Sequence, residues 1–135
     1  MKIFVCVAFL LASSAAVAGT SAGYGNGGRF ARFDPVVNQH NQSGEIFRIE
    51  GHCQSACTLF LGIRAVCVDP NARLLFHAGH DRHGNINPAS TNRMLAAYNP
   101  QLRNYLVANG FMSTLKFHAI SGRDMIREFG YSACR

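Results

Sequence analysis

The chain has 135 residues, is 48% hydrophobic, and carries 13 Lys+Arg against 7 Asp+Glu for a formal charge of +6. That length suits a single domain, and the arginines are scattered rather than gathered into a stripe, so the charge reads as a solvated surface and not as a nucleic-acid footprint. An acidic envelope surface suits the balance better, and no phosphate-binding glycine loop or dinucleotide fingerprint points to a nucleotide cofactor.

Met1-Lys2, an apolar run over residues 3–12 and the small-x-small site Ala16-Val17-Ala18 read as a secretory signal peptide over residues 1–18. The expected mature chain starts at Gly19, keeps 117 residues with a charge of about +5, and is periplasmic or secreted. It has no second apolar run near the roughly 20 residues of a membrane span. Cys6 falls in the apolar run, which leaves Cys53, Cys57, Cys67 and Cys134 in the mature chain. An even count in a small exported domain predicts two disulfides. Four cysteines allow three pairings; the working expectation joins Cys57 to Cys67 and Cys53 to Cys134.

Residues 19–33 read as a flexible lead-in, since 19–28 are rich in Gly, Ser and Asn. Residues 29–34 allow a short strand, and 35–43 are too polar to assign. Ile46-Phe47-Arg48-Ile49 predicts a strand ended by a tight turn at Gly51. Ser55 is placed as the cap of a short buried helix over 56–62, followed by a strand over 65–68. Asp69-Pro70-Asn71-Ala72 has its proline where a type I turn wants it, which returns 73–77 as the next strand. Gly79, Gly84, Pro88 and three histidines make 77–89 a surface loop. Met94, Tyr98, Leu102, Tyr105 and Leu106 follow helical spacing, broken near Tyr98 by Pro100, and Asn109-Gly110 ends the run. Ser121-Gly122-Arg123-Asp124 opens a last helix that Gly130 closes near Phe129. The order of elements predicts an α/β domain over residues 34–135.

Gly51-His52-Cys53-Gln54-Ser55-Ala56 puts a serine at a strand-to-helix junction, and Pro70-Asn71-Ala72-Arg73-Leu74-Leu75-Phe76-His77 ends the following strand in a histidine. Nucleophilic acyl chemistry needs those two groups near each other. The first segment resembles the nucleophile segment of the Clp-type serine protease subunit, and the second is similar to that family's histidine segment, at a similar interval. Residues 51–134 as a whole are still more similar to small exported bacterial proteins of the Clp protease/crotonase-like superfamily, with a Ser-Ala-Cys-Thr-Leu core and a C-terminal cysteine.

The resemblance implies a truncated Clp protease/crotonase-like βαβ-type spiral in one α/β domain with C-terminal helices, and self-association into a homo-oligomer. It also implies a serine hydrolase, peptidase or esterase, acting on a peptide or ester substrate through an acyl-enzyme. Ser55 would attack, His77 would take its proton, and the amide of Ala56 would stabilise the oxyanion. Two departures stand out. The family's orienting acid aligns with Phe117 in Lys116-Phe117-His118-Ala119-Ile120-Ser121, which leaves Asp124 and Asp81 as candidate acids. The family's upstream glycine-rich turn and helix find only Asp34-Pro35-Val36-Val37 in their place. The alternative is therefore a catalytically inactive envelope binding or structural protein on the same disulfide-stabilised fold.

His77, His80 and His83, with His52 and His118 elsewhere, suggest zinc by residue type. Their spacing does not suit one helical face and disulfides would consume the thiolates, so neither metal nor other cofactor is expected. Met94, Tyr98, Tyr105 and Phe111 are assigned to the core or a subunit interface.

Overall fold

A computed structural model describes residues 19–135; the signal-peptide expectation, residues 1–18, lies outside the described residues. In chain order the elements are β1 (Gly19–Thr20), α1 (Phe30–Ser43), β2 (Phe47–Ile49), β3 (His52–Gln54), a 3-10 helix (Ser55–Gly62), β4 (Val66–Val68), β5 (Arg73–Phe76), α2 (Pro88–Ala97), α3 (Pro100–Ala108), β6 (His118–Ser121) and α4 (Gly122–Arg127). The α/β class therefore holds. β1, β2 and β4 form one parallel sheet; in the other, β5 pairs parallel with β3 and antiparallel with β6. From β2 to β5 the chain alternates between the sheets, so that β2 and β4 lie in one and β3 and β5 in the other.

Phe33 of α1, Phe47 of β2 and Phe60 of the 3-10 helix meet between the layers, with centroids 5.2 Å apart for Phe33–Phe60 and 4.4 Å for Phe47–Phe60. Each is fully buried, a gain of roughly 1.5–3 kcal/mol apiece. α1 forms because Phe33 and His40 are buried, and Val36 and Val37 pack partly buried against the core. These four positions are i, i+3, i+4 and i+7, one face of a helix. The short strand considered for 29–34 is thus replaced by helix, which also covers the unassigned 35–43. Gly44, in the left-handed region, ends it.

The flexible lead-in expected over 19–33 is instead built into the fold. β1 pairs with β2, Ser21 Oγ donates to the Glu50 carbonyl, and Tyr24 packs edge-on against Phe33 and Phe60. Other expectations fare better. β2, β4 and β5 fall where strands were expected, and the run broken at Pro100 becomes α2 and α3. Asn87 and Asn99 cap these helices, each followed by a proline at a first-turn position that needs no N–H. Ser121 caps α4 by accepting from the Asp124 N–H.

All four cysteines are paired, but as Cys53–Cys57 and Cys67–Cys134. The expected pairing of Cys57 with Cys67 and Cys53 with Cys134 is overturned, because β3 and β4 belong to different sheets. The tail runs beside β4, where Val68 N–H donates to the Ser132 carbonyl and Cys134 N–H to the Val68 carbonyl. By chain entropy the Cys67–Cys134 link, with a sequence separation of 67, contributes about 4 kcal/mol, and Cys53–Cys57, with a separation of 4, about 2 kcal/mol. No helix among the described residues is long and apolar enough to cross a membrane.

Candidate active site

β3 and β5 are parallel neighbours in register Gln54↔Leu75. Ser55 and His77 therefore leave the carboxyl ends of adjacent strands, whose backbones lie about 4.8 Å apart. Both line a cavity of ≈ 680 Å³, together with Phe30, Met94, Leu115 and Phe117 on the apolar side and Arg29 and Arg82 among the polar groups. The two residues singled out in the sequence are brought together on one surface.

Ser55 is the one non-glycine residue with positive φ, 56°, among the described residues. For an L-residue the left-handed region costs about 1–2 kcal/mol, and it persists only where the surroundings enforce it. The expected capping role does not account for it. The N-cap position of the 3-10 helix is Gln54, and no side chain caps that end. What holds the turn is a buried relay. Tyr98 Oη donates to Thr58 Oγ1 at 2.6 Å, and Thr58 Oγ1 donates to the Ser55 carbonyl at 2.7 Å. Burial pushes the Tyr98 phenol well above its ordinary range, which keeps it a donor. A strained serine at a strand-to-helix turn is the geometry that lifts a nucleophilic Oγ clear of the sheet.

A glycine turn lies directly over this serine. The Gly25 carbonyl accepts from Gln54 N–H at 2.9 Å, and the Asn26 carbonyl from Gln54 Nε2 at 3.1 Å. Gly27 has φ +74°, and a Cβ there would lie 3.0 Å from Ser55 Cβ and 3.4 Å from the Ala56 nitrogen. A glycine turn, Gly27-Gly28, and a helix, α1, do precede β3, where the sequence offered only Asp34-Pro35-Val36-Val37. Ala56, second in the 3-10 helix, has an N–H that helical bonding does not engage. On the expectation that the Ala56 N–H serves an oxyanion, a Gly27→Ala protein, whose added Cβ would crowd that N–H, is expected to fold but to lose roughly 10²–10³-fold in ester hydrolysis, the scale of one lost oxyanion donor. Circular dichroism beside hydrolysis of an activated ester checks both halves.

His77 is 5% exposed, and its Nδ1 lies 2.5 Å from the Ala78 carbonyl oxygen. A carbonyl can only accept, so Nδ1 carries the proton and Nε2 is left as the free base. Burial pushes the His77 pKa down, the Ala78 bond works against that, and the neighbouring His80 adds to the lowering. The Phe117 ring meets His77 edge-on at 5.1 Å, and the His80 ring stacks on it at 5.9 Å.

Neither candidate acid is bonded to His77. Asp81 Oδ1 accepts from Asn85 N–H at 3.0 Å and His83 N–H at 2.8 Å, which with the Asn85 side chain and the neighbouring His80 hold its carboxyl below the ordinary range. Asp124 pairs with Arg127 at 3.1 Å. The orienting contact is instead the main-chain oxygen of Ala78.

Among the described residues no three His, Cys, Asp or Glu side chains gather as a metal site. His52 bonds Gln54, and His118 stacks on Phe111 at 3.4 Å. Tyr98 and Met94 are core residues, Met94 also reaching the cavity, whereas Tyr105 and Phe111 cluster around His118. Gly27, Thr58 and the Ala78 carbonyl are the participants that the sequence reading missed. No family model, curated protein or solved structure matches this chain.

Proposed function

We propose that the protein is an exported serine hydrolase, a peptidase or esterase of Clp protease/crotonase-like fold that works through an acyl-enzyme on Ser55. The observation that carries this reading is the left-handed Ser55 at the end of β3, beside His77 at the end of β5 and on the same cavity. Ser55 Oγ attacks the acyl carbon while its proton passes to His77 Nε2. The Nδ1–H bond to Ala78 holds the ring and stabilises the imidazolium that forms. The Ala56 N–H, beneath Gly27, meets the oxyanion. Collapse breaks the bond to the leaving group, which takes the proton from Nε2, and water then repeats the sequence on the acyl-enzyme.

Phe30, Met94 and Phe117 suit an apolar acyl group or side chain. Arg29 and Arg82 form no ion pair among the described residues and favour neutral or anionic substrates.

A fluorophosphonate probe tests the reading. Labelling is expected to map to Ser55 and to vanish in Ser55→Ala. A His77 pKa below the ordinary value means that the base stays neutral further into acid, so the labelling rate declines only below the usual imidazole range. Folded wild-type protein that takes no label would refute the proposal. Phe117, lying against His77 where the family carries its acid, favours a second reading, an inactive envelope binding protein. That reading predicts an unlabelled protein whose cavity still binds an apolar peptide or ester.

A further inference from the structure

Resting on the hydrolase reading, we infer that the Cys53–Cys57 disulfide is a positioning device for the nucleophile, distinct in purpose from Cys67–Cys134. Cys53 is fixed in the β3–β5 ladder opposite Leu74, and Cys57 is the third residue of the 3-10 helix. The bond joins positions with a sequence separation of 4 and a Cα–Cα distance of 5.3 Å. Ser55 is the central residue of the short ring it closes, and the only non-glycine residue with positive φ among those described.

An extended or helical Ser55 would change the span between its flanking residues, so a fixed crosslink two residues to either side selects the left-handed turn. The Thr58 hydroxyl adds a second hold by donating to the Ser55 carbonyl. Both cysteines are 0% exposed, which seals the bond from thiols in solution and makes it a fixed brace. The Cys67–Cys134 bond, with a separation of 67, ties the tail to β4 and touches neither strand end of the site.

Two double variants separate the roles, Cys53→Ala/Cys57→Ala and Cys67→Ala/Cys134→Ala, assayed at a temperature where each is folded. The readouts are the second-order rate of fluorophosphonate labelling and the Ser55 Cα and Cβ chemical shifts, which report backbone conformation. The first variant is expected to label at least about 10-fold more slowly, since a small misplacement of a reacting group can cost about 10²-fold. Its Ser55 shifts should leave left-handed values. The second is expected to keep both the rate and the shifts while melting at a lower temperature.

A first variant that labels within twofold of wild type, or whose Ser55 shifts do not move, overturns the inference. If wild-type protein takes no label, the hydrolase reading has failed and the shifts alone decide whether the bond sets the turn. Should the double alanine variant not fold, Cys53→Val/Cys57→Ala refills part of the lost volume and carries the same measurement.

Discussion

On the proposed hydrolase reading, a Ser55→Gly protein is expected to lose nearly all hydrolysis and yet to unfold at a higher temperature than Ser55→Ala. Both substitutions remove the hydroxyl, and loss of a nucleophile of this kind costs at least about 10⁴-fold in rate. They differ in the backbone. Alanine at φ 56° keeps the Cβ penalty of the left-handed region, whereas glycine occupies that region without steric cost. Against this relief stands the extra freedom of glycine in the unfolded chain, roughly 0.5–1 kcal/mol. The balance favours glycine by about 1 kcal/mol, or roughly 3–6 °C for a domain of this size. Calorimetry beside an ester assay reads both effects. A glycine protein less stable than the alanine protein would mean that no strain resides at this turn, and hydrolysis near the wild-type rate in both would remove Ser55 from the chemistry. The expected pattern is the one seen where activity is held at the expense of stability.

Replacing Gly122 by alanine is expected to destabilise the fold by at least about 4 kcal/mol, an exceptional loss for one methyl group. Gly122 opens α4, and its N–H donates to the Ala72 carbonyl at 2.7 Å. A Cβ there would lie 2.0 Å from the Asp69 carbonyl oxygen and 3.0 Å from the Pro70 carbonyl carbon. These are backbone atoms of the turn between β4 and β5, and they cannot rotate away. Relief requires α4 to lift from that turn, which breaks the Ala72 bond and disturbs Ser121, the β6 residue paired with Arg73. Gly84 supplies the control. Its φ is +78° but a Cβ there meets nothing within 4 Å, so Gly84→Ala should cost only about 1 kcal/mol. Denaturant midpoints of the two proteins decide the matter; equal shifts would refute the close docking of α4.

The positions of Ser55 and His77 at the ends of strands are legible in the sequence because small residues and strand formers flank each of them, with one helix and one further strand between β3 and β5. Much of the rest is not, for identifiable reasons. The stripe Phe33, Val36, Val37 and His40 has helical spacing, but Pro35 interrupts it and polar residues dilute it, so α1 escapes a periodicity reading. Gly-Asn-Gly-Gly over 25–28 looks like a linker by composition. Its role depends on contact with Ser55 and Gln54, which composition does not record. The disulfide pairing turns on which sheet each cysteine enters, and strands of three residues carry no such label. An orienting acid is sought among carboxylates by residue type, whereas the group bonded to His77 is a main-chain oxygen, which any residue type supplies.

The alternation of β2, β3, β4 and β5 between two sheets has a kinetic consequence. None of the ladders is a hairpin, and even β3 reaches β5 only after the chain has visited the other layer. Contacts of that kind require long loops to close before they yield any stabilisation, which makes folding slow and all-or-none. A chain halted partway therefore has its serine and its histidine but not the cavity that both line, which forms only when the two layers close.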